Sequence, residues 1–314
     1  MFKPPTFNAK DYNEWKQYLD GEGYVVIHNV LSADDISSAF GYFLKDITTV
    51  SPKFNIADPL TFDINYTPMM FAKGMAVFNG LGNSDFMWNM RTHPNILSIY
   101  KQLFGTQELN SSMDGFSMFV SSDQKPGQWL HTDQNPNNSI YSIQGAYNFI
   151  EVNKNSAGLV VVPKSHIKYN PKVNHSKDWI VYDKFKTGYE DLEKEAVKLL
   201  IPANCFVLWN SRTIHANTGI VKPTRSKVKQ FNRLTCYIAY LPKTTIPDNI
   251  KEKIFEERKS AYLNGESTSH WSNKCEIKKY PNRFEATYTK RGFGKINPTL
   301  NDKGEIPADR LKLL

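Results

Sequence analysis

Two imidazoles and one carboxylate in this 314-residue chain are spaced as the ligands of a mononuclear metal site. His131 and Asp133 lie in the run Gln128–Gln134, and His215 closes the run Trp209–His215. Two histidines and a carboxylate form the facial triad that binds one face of a non-haem Fe(II) and leaves the other positions open for a co-substrate and O₂. These residue types therefore favour an oxygenase over a binding module.

The spacing of the three residues indicates which elements must carry them. Side chains two residues apart lie on the same face of a strand, so His131 and Asp133 point together while Thr132 turns aside. His215 is far along the chain and must come from another strand brought alongside. A closed or double-layered antiparallel sheet provides such a neighbour, whereas a doubly wound α/β sheet would gather its ligands at the carboxyl ends of strands.

Composition points to one large, well-packed, β-rich core. The chain is 40% hydrophobic and contains 19 Phe, 16 Tyr and 6 Trp, which argues against disorder. The net charge of +8 is spread out, and its densest stretch is Lys222–Lys229. Nucleic acid is a conceivable partner for this stretch, but a solvated loop is the commoner meaning of such a run. We therefore expect a small-molecule partner.

The cysteines and the N-terminus predict a cytoplasmic protein. Three cysteines (Cys205, Cys236 and Cys275) are too few and too scattered for a disulfide framework, so they indicate a reducing compartment. The N-terminus lacks the apolar region of a signal peptide, and no run reaches membrane-spanning length. No membrane partner is expected.

Periodicity predicts helices in the N-terminal part and strands in the middle of the chain. Helices are expected over 11–20, from Ser32 to about Lys45, and over 84–91, 94–104 and 247–262, with an early strand over Tyr24–Ile27. Ser32 and Asp35 form a capping box that opens the second helix. The stretch 50–83 is irregular, which in a compact domain indicates a functional or mobile loop.

Eight further β-branched or aromatic runs predict strands, which is the number that a two-sheet jelly roll requires. They cover 116–120, 128–134, 140–152, 159–162, 179–182, 197–200, 205–209 and 233–240. We expect one domain over 1–314, with a jelly-roll core over about 112–242. A helical part over 10–105 precedes this core, and a helix with a polar tail over 245–314 follows it.

Arg233 begins the strand that follows the second histidine. A guanidinium forms two parallel hydrogen bonds with a carboxylate. At this position it could bind the far carboxylate of 2-oxoglutarate while the other end of that molecule chelates iron.

Taken together, these motifs resemble the phytanoyl-CoA dioxygenase-like branch of the Fe(II)/2-oxoglutarate oxygenases. The likeness covers roughly residues 10–245, through the segments 23–27, 91–94, 129–134, 143–145, 158–166 and 208–215 and the strand of Arg233. It implies a mainly β (α+β) double-stranded β-helix, a cupin-like jelly roll with flanking helices. It also implies Fe(II) on His131, Asp133 and His215, with 2-oxoglutarate and O₂ as co-substrates. The implied reaction is hydroxylation of a small molecule, with release of succinate and CO₂.

The chain departs from the family pattern at two places. The step from His215 to Arg233 is longer than usual, and Lys222–Gln230 looks inserted, which leaves Arg225 as a rival co-substrate anchor. We favour Arg233 because it lies in a regular strand. Lys164 stands where the family usually has glycine, and His166 nearby is expected to be structural.

Two further side chains are candidates for the co-substrate site. Gln144 could contact the co-substrate or substrate, or be an amide on the strand surface. Asn217 could contact the co-substrate or stabilise a turn.

The alternative functions of the protein are a hydroxylase or demethylase of nucleic acid or protein, and a non-catalytic jelly-roll binding protein. A halogenase is disfavoured because those enzymes lose the carboxylate that Asp133 supplies.

Overall fold

The computed structural model describes most of the chain: residues 1–63, 65–70, 74–122, 129–168, 178–182, 189–221, 228–279 and 291–314. Its strands are β1 (Thr6–Asn8), β2 (Tyr24–His28), β3 (Met75–Ala76), β4 (Leu109–Ser111), β5 (Phe116–Ser121), β6 (His131–Thr132), β7 (Ile143–Asn148), β8 (Gly158–Val161), β9 (Ile180–Val181), β10 (Val197–Lys198), β11 (Cys205–Asn210), β12 (His215–Thr218) and β13 (Lys229–Pro242).

The helices are α1 (Tyr12–Glu22), α2 (Ala33–Val50), α3 (Asp85–Thr92), α4 (Pro94–Phe104), α5 (Ser165–Lys168), α6 (Tyr189–Glu195), α7 (Lys251–Leu263) and α8 (Ala308–Leu311). Short 3₁₀ helices occur at Pro59–Thr61, Leu81–Asn83, Lys243–Thr245 and Asp248–Ile250. None of the helices that the structure describes is long and apolar enough to cross a membrane.

The described strands form two sheets packed face to face. The larger sheet has the order β1-β2-β11-β7-β13-β5-β3, with β4 also paired to β13, and the smaller has the order β10-β8-β12-β6-β9. All pairs are antiparallel except β1 with β2. Val26 and Val207 of the larger sheet and Leu159 and Val161 of the smaller one share a buried cluster between the sheets. This confirms the predicted jelly roll.

The outer face of the larger sheet is covered by helices, among them α2 and α4. Phe43 of α2 packs edge to face on Phe116 of β5, with ring centroids 5.8 Å apart. Tyr100 of α4 donates a hydrogen bond to the carbonyl of Ile238 in β13 at 2.9 Å. The helices therefore hold the larger sheet from outside and leave its inner face to the site.

Local signals explain how the N-terminal helices begin and end. α1 buries Trp15 and Leu19 and ends at Gly23, whose φ of 83° suits glycine. The capping box of Ser32 and Asp35 is present at the start of α2. The expected end near Lys45 was wrong, because the buried face of α2 continues to Val50.

Several strand predictions needed correction, and three of the differences are large. The ladder over 128–134 is only His131–Thr132, since the backbone N–H of Asp133 turns away to the carbonyl of Ser211 at 2.9 Å. Gln128 lies outside the described residues. The strand over 140–152 is shortened to Ile143–Asn148, and β13 begins at Lys229 rather than at Arg233.

The two ends of the chain contribute more to the fold than their composition indicated. β2 confirms the predicted strand over Tyr24–Ile27, and β1, which was not predicted, adds a further strand beside it to the larger sheet. The C-terminal region is not simply a polar tail, because Ile296, Ile306, Leu313 and Leu314 are buried in the main core. Long-range contacts of this kind leave no periodic signal in a short segment. Within 50–83, the described part contains β3 and two 3₁₀ helices.

Candidate metal centre

Adjacent strands of the smaller sheet bring the two histidines together. His131 of β6 and His215 of β12 are direct Cα partners, so their side chains share a face. On the other side of β12, His215 pairs with Val161, which belongs to the buried cluster between the sheets. Both histidines therefore point into the space between the two sheets, as the spacing argument required of neighbouring strands.

The three predicted ligands converge on one point. His215 Nε2 lies 3.2 Å from Asp133 Oδ2, and His131 Nε2 lies 3.6 Å from Asp133 Oδ1. The potential ligand atoms of the three residues all fall within 4.8 Å of one another. Ligands on adjacent corners of an octahedron, each at about 2.1 Å from the metal, are about 3 Å apart, so this spacing fits a bound ion.

The protonation of the two rings also suits metal binding. His131 Nδ1 lies 3.0 Å from the carbonyl of Trp129, and His215 Nδ1 lies 2.8 Å from the carbonyl of Thr213. A carbonyl only accepts, so in each ring Nδ1 carries the proton and a neutral ring keeps its lone pair at Nε2. Two lone pairs and a carboxylate then face one another in a buried space, an arrangement that a cation stabilises.

The carboxylate is held in its charged form and in one orientation. Burial by itself would raise the pKa of Asp133, but positive charge on a protonated His131 or His215 ring holds that pKa well below its usual value, and a bound cation would act in the same direction. Gln144 Nε2 donates to Asp133 Oδ2 at 2.9 Å and also lies 3.3 Å from Ser211 Oγ. Gln144 is thus inward-facing, and its described contacts are with the ligand and with the turn behind it.

Aromatic side chains restrict the histidine rings. The Trp129 ring stacks on His131 with centroids 4.1 Å apart and planes 7° apart. Its indole N–H donates to the carbonyl of Asn217 at 3.3 Å, which ties it to β12. Trp209 lies 5.5 Å from His215, ring centroid to centroid. The imidazole orientations are therefore set by packing as well as by hydrogen bonds.

Arg233 lies on the inner face of the larger sheet and is only 2% exposed. Its guanidinium donates to Thr235 Oγ1 at 3.1 Å and to Asn217 Oδ1 at 3.0 Å, and it lies 3.5 Å from the Tyr237 hydroxyl. Burial lowers the pKa of Arg233. Within the described ranges, no carboxylate lies within 4.0 Å of it. A buried cation with neutral partners is suited to an anionic ligand.

Asn217 links this arginine to a tyrosine that sequence reasoning missed. Its amide donates to the Tyr237 hydroxyl at 2.8 Å, and Ser117 Oγ lies 2.8 Å from the same hydroxyl. Tyr237 is four residues after Arg233, so the two share a face of β13, and this period-two pattern could have identified it. Arg225, the rival anchor, lies outside the described residues.

His166 has a structural position, as expected. Its Nε2 lies 2.9 Å from the carbonyl of Asp20, at the end of α1 and away from the three ligands. Lys164 has a left-handed φ of 63°, which explains why glycine is usual there. Its backbone N–H donates to the carbonyl of Glu22 at 2.9 Å.

Comparison with known proteins identified a matching family and curated relatives that span most of the chain. The family described as Phytanoyl-CoA dioxygenase (PhyH) matches residues 19–220. "Ava biosynthesis cluster protein O" of Aspergillus versicolor is 23% identical over 273 residues, which are 77% of this chain and 88% of that protein.

Two solved structures are similar to this chain at low sequence identity. The epimerase SnoN, in complex with Fe3+, alpha ketoglutarate and nogalamycin RO, is 16% identical with a TM-score of 0.49, covering 75% of this chain and 85% of that one. The alpha ketoglutarate dependent carbocyclase SnoK is 13% identical with a TM-score of 0.48, covering 76% and 88%. At these identities neither likeness indicates a substrate.

Proposed function

Because the chain belongs to the phytanoyl-CoA dioxygenase (PhyH) family and is an Fe(II)- and 2-oxoglutarate-dependent oxygenase, we propose that it hydroxylates a small molecule at a metal held by His131, Asp133 and His215. Arg233 anchors the far carboxylate of 2-oxoglutarate in this proposal. Asn217 and Tyr237 hold the guanidinium in place for that contact.

The observation that carries the proposal is the ligand cluster itself. Three potential ligand groups converge within 4.8 Å in a buried space, and both histidines present the ring nitrogen that is not bonded to the backbone. The donor set of two imidazoles and one carboxylate is the one typical of non-haem Fe(II) oxygenases.

When bound, Fe(II) and 2-oxoglutarate would supply the oxidising chemistry with O₂ as the oxidant. One oxygen atom of O₂ would enter succinate as 2-oxoglutarate loses CO₂, and the other would be inserted into a substrate C–H bond. The protein's own residues perform positioning. Gln144 orients the Asp133 carboxylate, and Trp129 fixes the His131 ring and excludes water from its far side. Arg233 compensates the charge of the co-substrate in a site with little water.

An anaerobic titration tests the proposal. Addition of Fe(II) and then 2-oxoglutarate to the wild-type protein should produce a visible charge-transfer band, which Asp133→Ala should lack. Zn(II) serves as the control, because its filled d shell gives no such band. Admission of O₂ should then release succinate, and a metabolite library should reveal compounds that accelerate the release. The absence of a band in the wild-type protein would refute the proposal.

A further inference from the structure

An apolar surface extends the row of metal ligands to the edge of the smaller sheet. Val181 of β9 is the Cα partner of His131, so the two side chains share a face. Trp179 lies two residues before Val181, immediately before β9 begins. Its ring centroid is 6.1 Å from that of His131. The surface formed by Trp179 and Val181 therefore borders the metal ligands directly.

This surface is open, in contrast to the ligands beside it. Trp179 is 53% exposed and Val181 is 43% exposed, whereas His131 is only 3% exposed. Tryptophan is a highly buried residue on average, and a large aromatic face left in water is available for stacking. Because the exposed Trp179 ring lies next to His131, a molecule bound near the metal site could stack on it.

A histidine from the C-terminal region approaches the same centre. His270 Nε2 is a buried atom and has no hydrogen-bond partner in the part of the chain that the structure describes. The charge of Asp133 acts on the His270 ring, so the two groups lie within electrostatic range of each other. A buried polar atom without a partner is costly, and a ligand oxygen would relieve that cost.

Asp178 forms hydrogen bonds that connect the segment of Trp179, the loop after Asp133 and the segment of His270. Its carboxylate accepts from the backbone N–H of Asn135 at 3.3 Å and from Asn138 Nδ2 at 2.9 Å, both in the loop that follows the metal ligand Asp133. It also accepts from Lys274 Nζ at 3.1 Å, four residues beyond His270. Asp178 immediately precedes Trp179, so it holds the exposed ring and the His270 segment around the same loop.

The charges on this segment favour an uncharged ligand. Lys274 lies near two carboxylates, at 3.1 Å from Asp178 Oδ2 and 3.0 Å from Glu276 Oε1. Lys278 Nζ lies 3.6 Å from Asp114 Oδ1. The two lysines nearest His270 in sequence are thus already neutralised.

We propose that Trp179 and His270 form the substrate subsite of this centre, which takes an uncharged, flat apolar ring that bears a hydroxyl or carbonyl oxygen. The ring lies over Trp179, and the oxygen forms a hydrogen bond with His270 Nε2. The inference rests on the proposed function and deepens it by giving the chemical class of the substrate.

Binding of 2-naphthol tests the subsite, because this molecule has one flat two-ring system and one hydroxyl. Titration calorimetry on the metal-free protein and on the anaerobic Fe(II)/2-oxoglutarate form gives the dissociation constants. Trp179→Ala should weaken binding by roughly tenfold or more, since stacking and apolar contact are both lost. His270→Ala should weaken it by about threefold to tenfold, the effect of one hydrogen bond, and His270→Gln should recover part of the loss.

Two controls make the test specific. Tyr42→Ala removes a similarly exposed ring from the outer helix α2 and should leave 2-naphthol binding unchanged. Decahydro-2-naphthol keeps the hydroxyl but is not flat, so it should bind less tightly and respond little to Trp179→Ala. The charge-transfer band should persist in both Trp179→Ala and His270→Gln.

The results separate failure of the subsite from failure of the proposed function. Wild-type protein that does not bind 2-naphthol, or equal affinities in the wild type and in both site variants, would overturn the subsite. A missing charge-transfer band in the wild type would instead overturn the proposed function, while 2-naphthol binding to the metal-free protein would still report on the Trp179 and His270 surface.

Discussion

The side-chain amide of Gln144 donates a hydrogen bond to Asp133 Oδ2 across 2.9 Å. Gln144 belongs to β7 of the larger sheet, whereas Asp133 follows β6 of the smaller sheet. The bond therefore joins the two sheets at the proposed metal centre, and the orientation of the carboxylate depends on how the sheets are packed.

Removal of this bond should weaken the metal site without removing a ligand. We expect Gln144→Ala to lower Fe(II) affinity by roughly 10- to 100-fold, as is usual when a group that orients a ligand is lost. Competition with a chelator under anaerobic conditions measures the change. Asn148→Ala is the matched control, because this β7 amide accepts from Thr235 instead of contacting the carboxylate. Equal Fe(II) affinity in the two variants would contradict the assignment.

Loss of a proposed ligand should have a larger effect than loss of its partner. His215→Ala should abolish stoichiometric Fe(II) binding while the protein remains folded, since the ring is a small part of the buried core. Metal analysis after gel filtration, with circular dichroism for the fold, provides the measurement. His28→Ala is the control, because His28 lies at the end of β2 and outside the cluster. Full iron occupancy in the His215 variant would exclude it as a ligand.

Arg233 should control co-substrate affinity and leave metal affinity intact. Truncation of one partner of a buried charge pair costs about 2–5 kcal/mol, so Arg233→Ala should raise the 2-oxoglutarate dissociation constant by orders of magnitude. Arg233→Lys should also be impaired, because lysine lacks the planar fork. The same titration on Arg225→Ala decides between the rivals. If Arg225→Ala is instead the variant with the greatly raised 2-oxoglutarate dissociation constant, the anchor comes from 222–230 and not from the inner face of β13.

Replacement of Lys164 by glycine should stabilise the protein at a position outside the proposed metal site. The left-handed backbone of Lys164, with φ of 63°, is strained for any residue with a Cβ atom. Lys164→Gly should remove that strain, and we expect a gain of about 1 kcal/mol in the free energy of unfolding, less the entropy of the added glycine. Lys164→Ala keeps the Cβ atom and should show no gain in urea denaturation. A gain of the same size in both variants would assign the effect to the lysine side chain.

The raised pKa of Asp46 should make the free energy of unfolding depend on pH. Burial raises its pKa to about 6, against which the hydrogen bond from the Phe86 backbone N–H at 2.8 Å acts only partly. The folded state therefore favours the protonated acid. The protonated Asp46 side chain contributes most to the free energy of unfolding below pH 4. This contribution, about 3 kcal/mol at most, is lost as the pH rises through 6.

The Asp46→Asn variant isolates this effect. The amide oxygen can still accept from Phe86 but does not titrate, so the variant should gain stability relative to wild type between pH 4 and pH 7. Urea denaturation of both proteins at a series of pH values measures the difference. If the free energies of unfolding of the two proteins change with pH in parallel, the pKa of Asp46 is not raised in the folded state.

Local sequence determined the element types and the identity of the proposed ligands. Period-two alternation, the capping box of Ser32 and Asp35 and the apolar stripe of α1 depend on neighbours within a few residues, so they can be read along the chain. The chemistry of His131, Asp133 and His215 likewise follows from residue type and spacing.

The tertiary structure decided which distant residues meet. The pairing of His131 with His215 and the bond from Gln144 to Asp133 depend on sheet order and on sheet-to-sheet packing. The burial of the C-terminal residues Leu313 and Leu314 depends on the same long-range contacts. The physical reason is that a residue's face is a local property of the backbone, whereas its partner across the core is chosen by the packing of the whole chain.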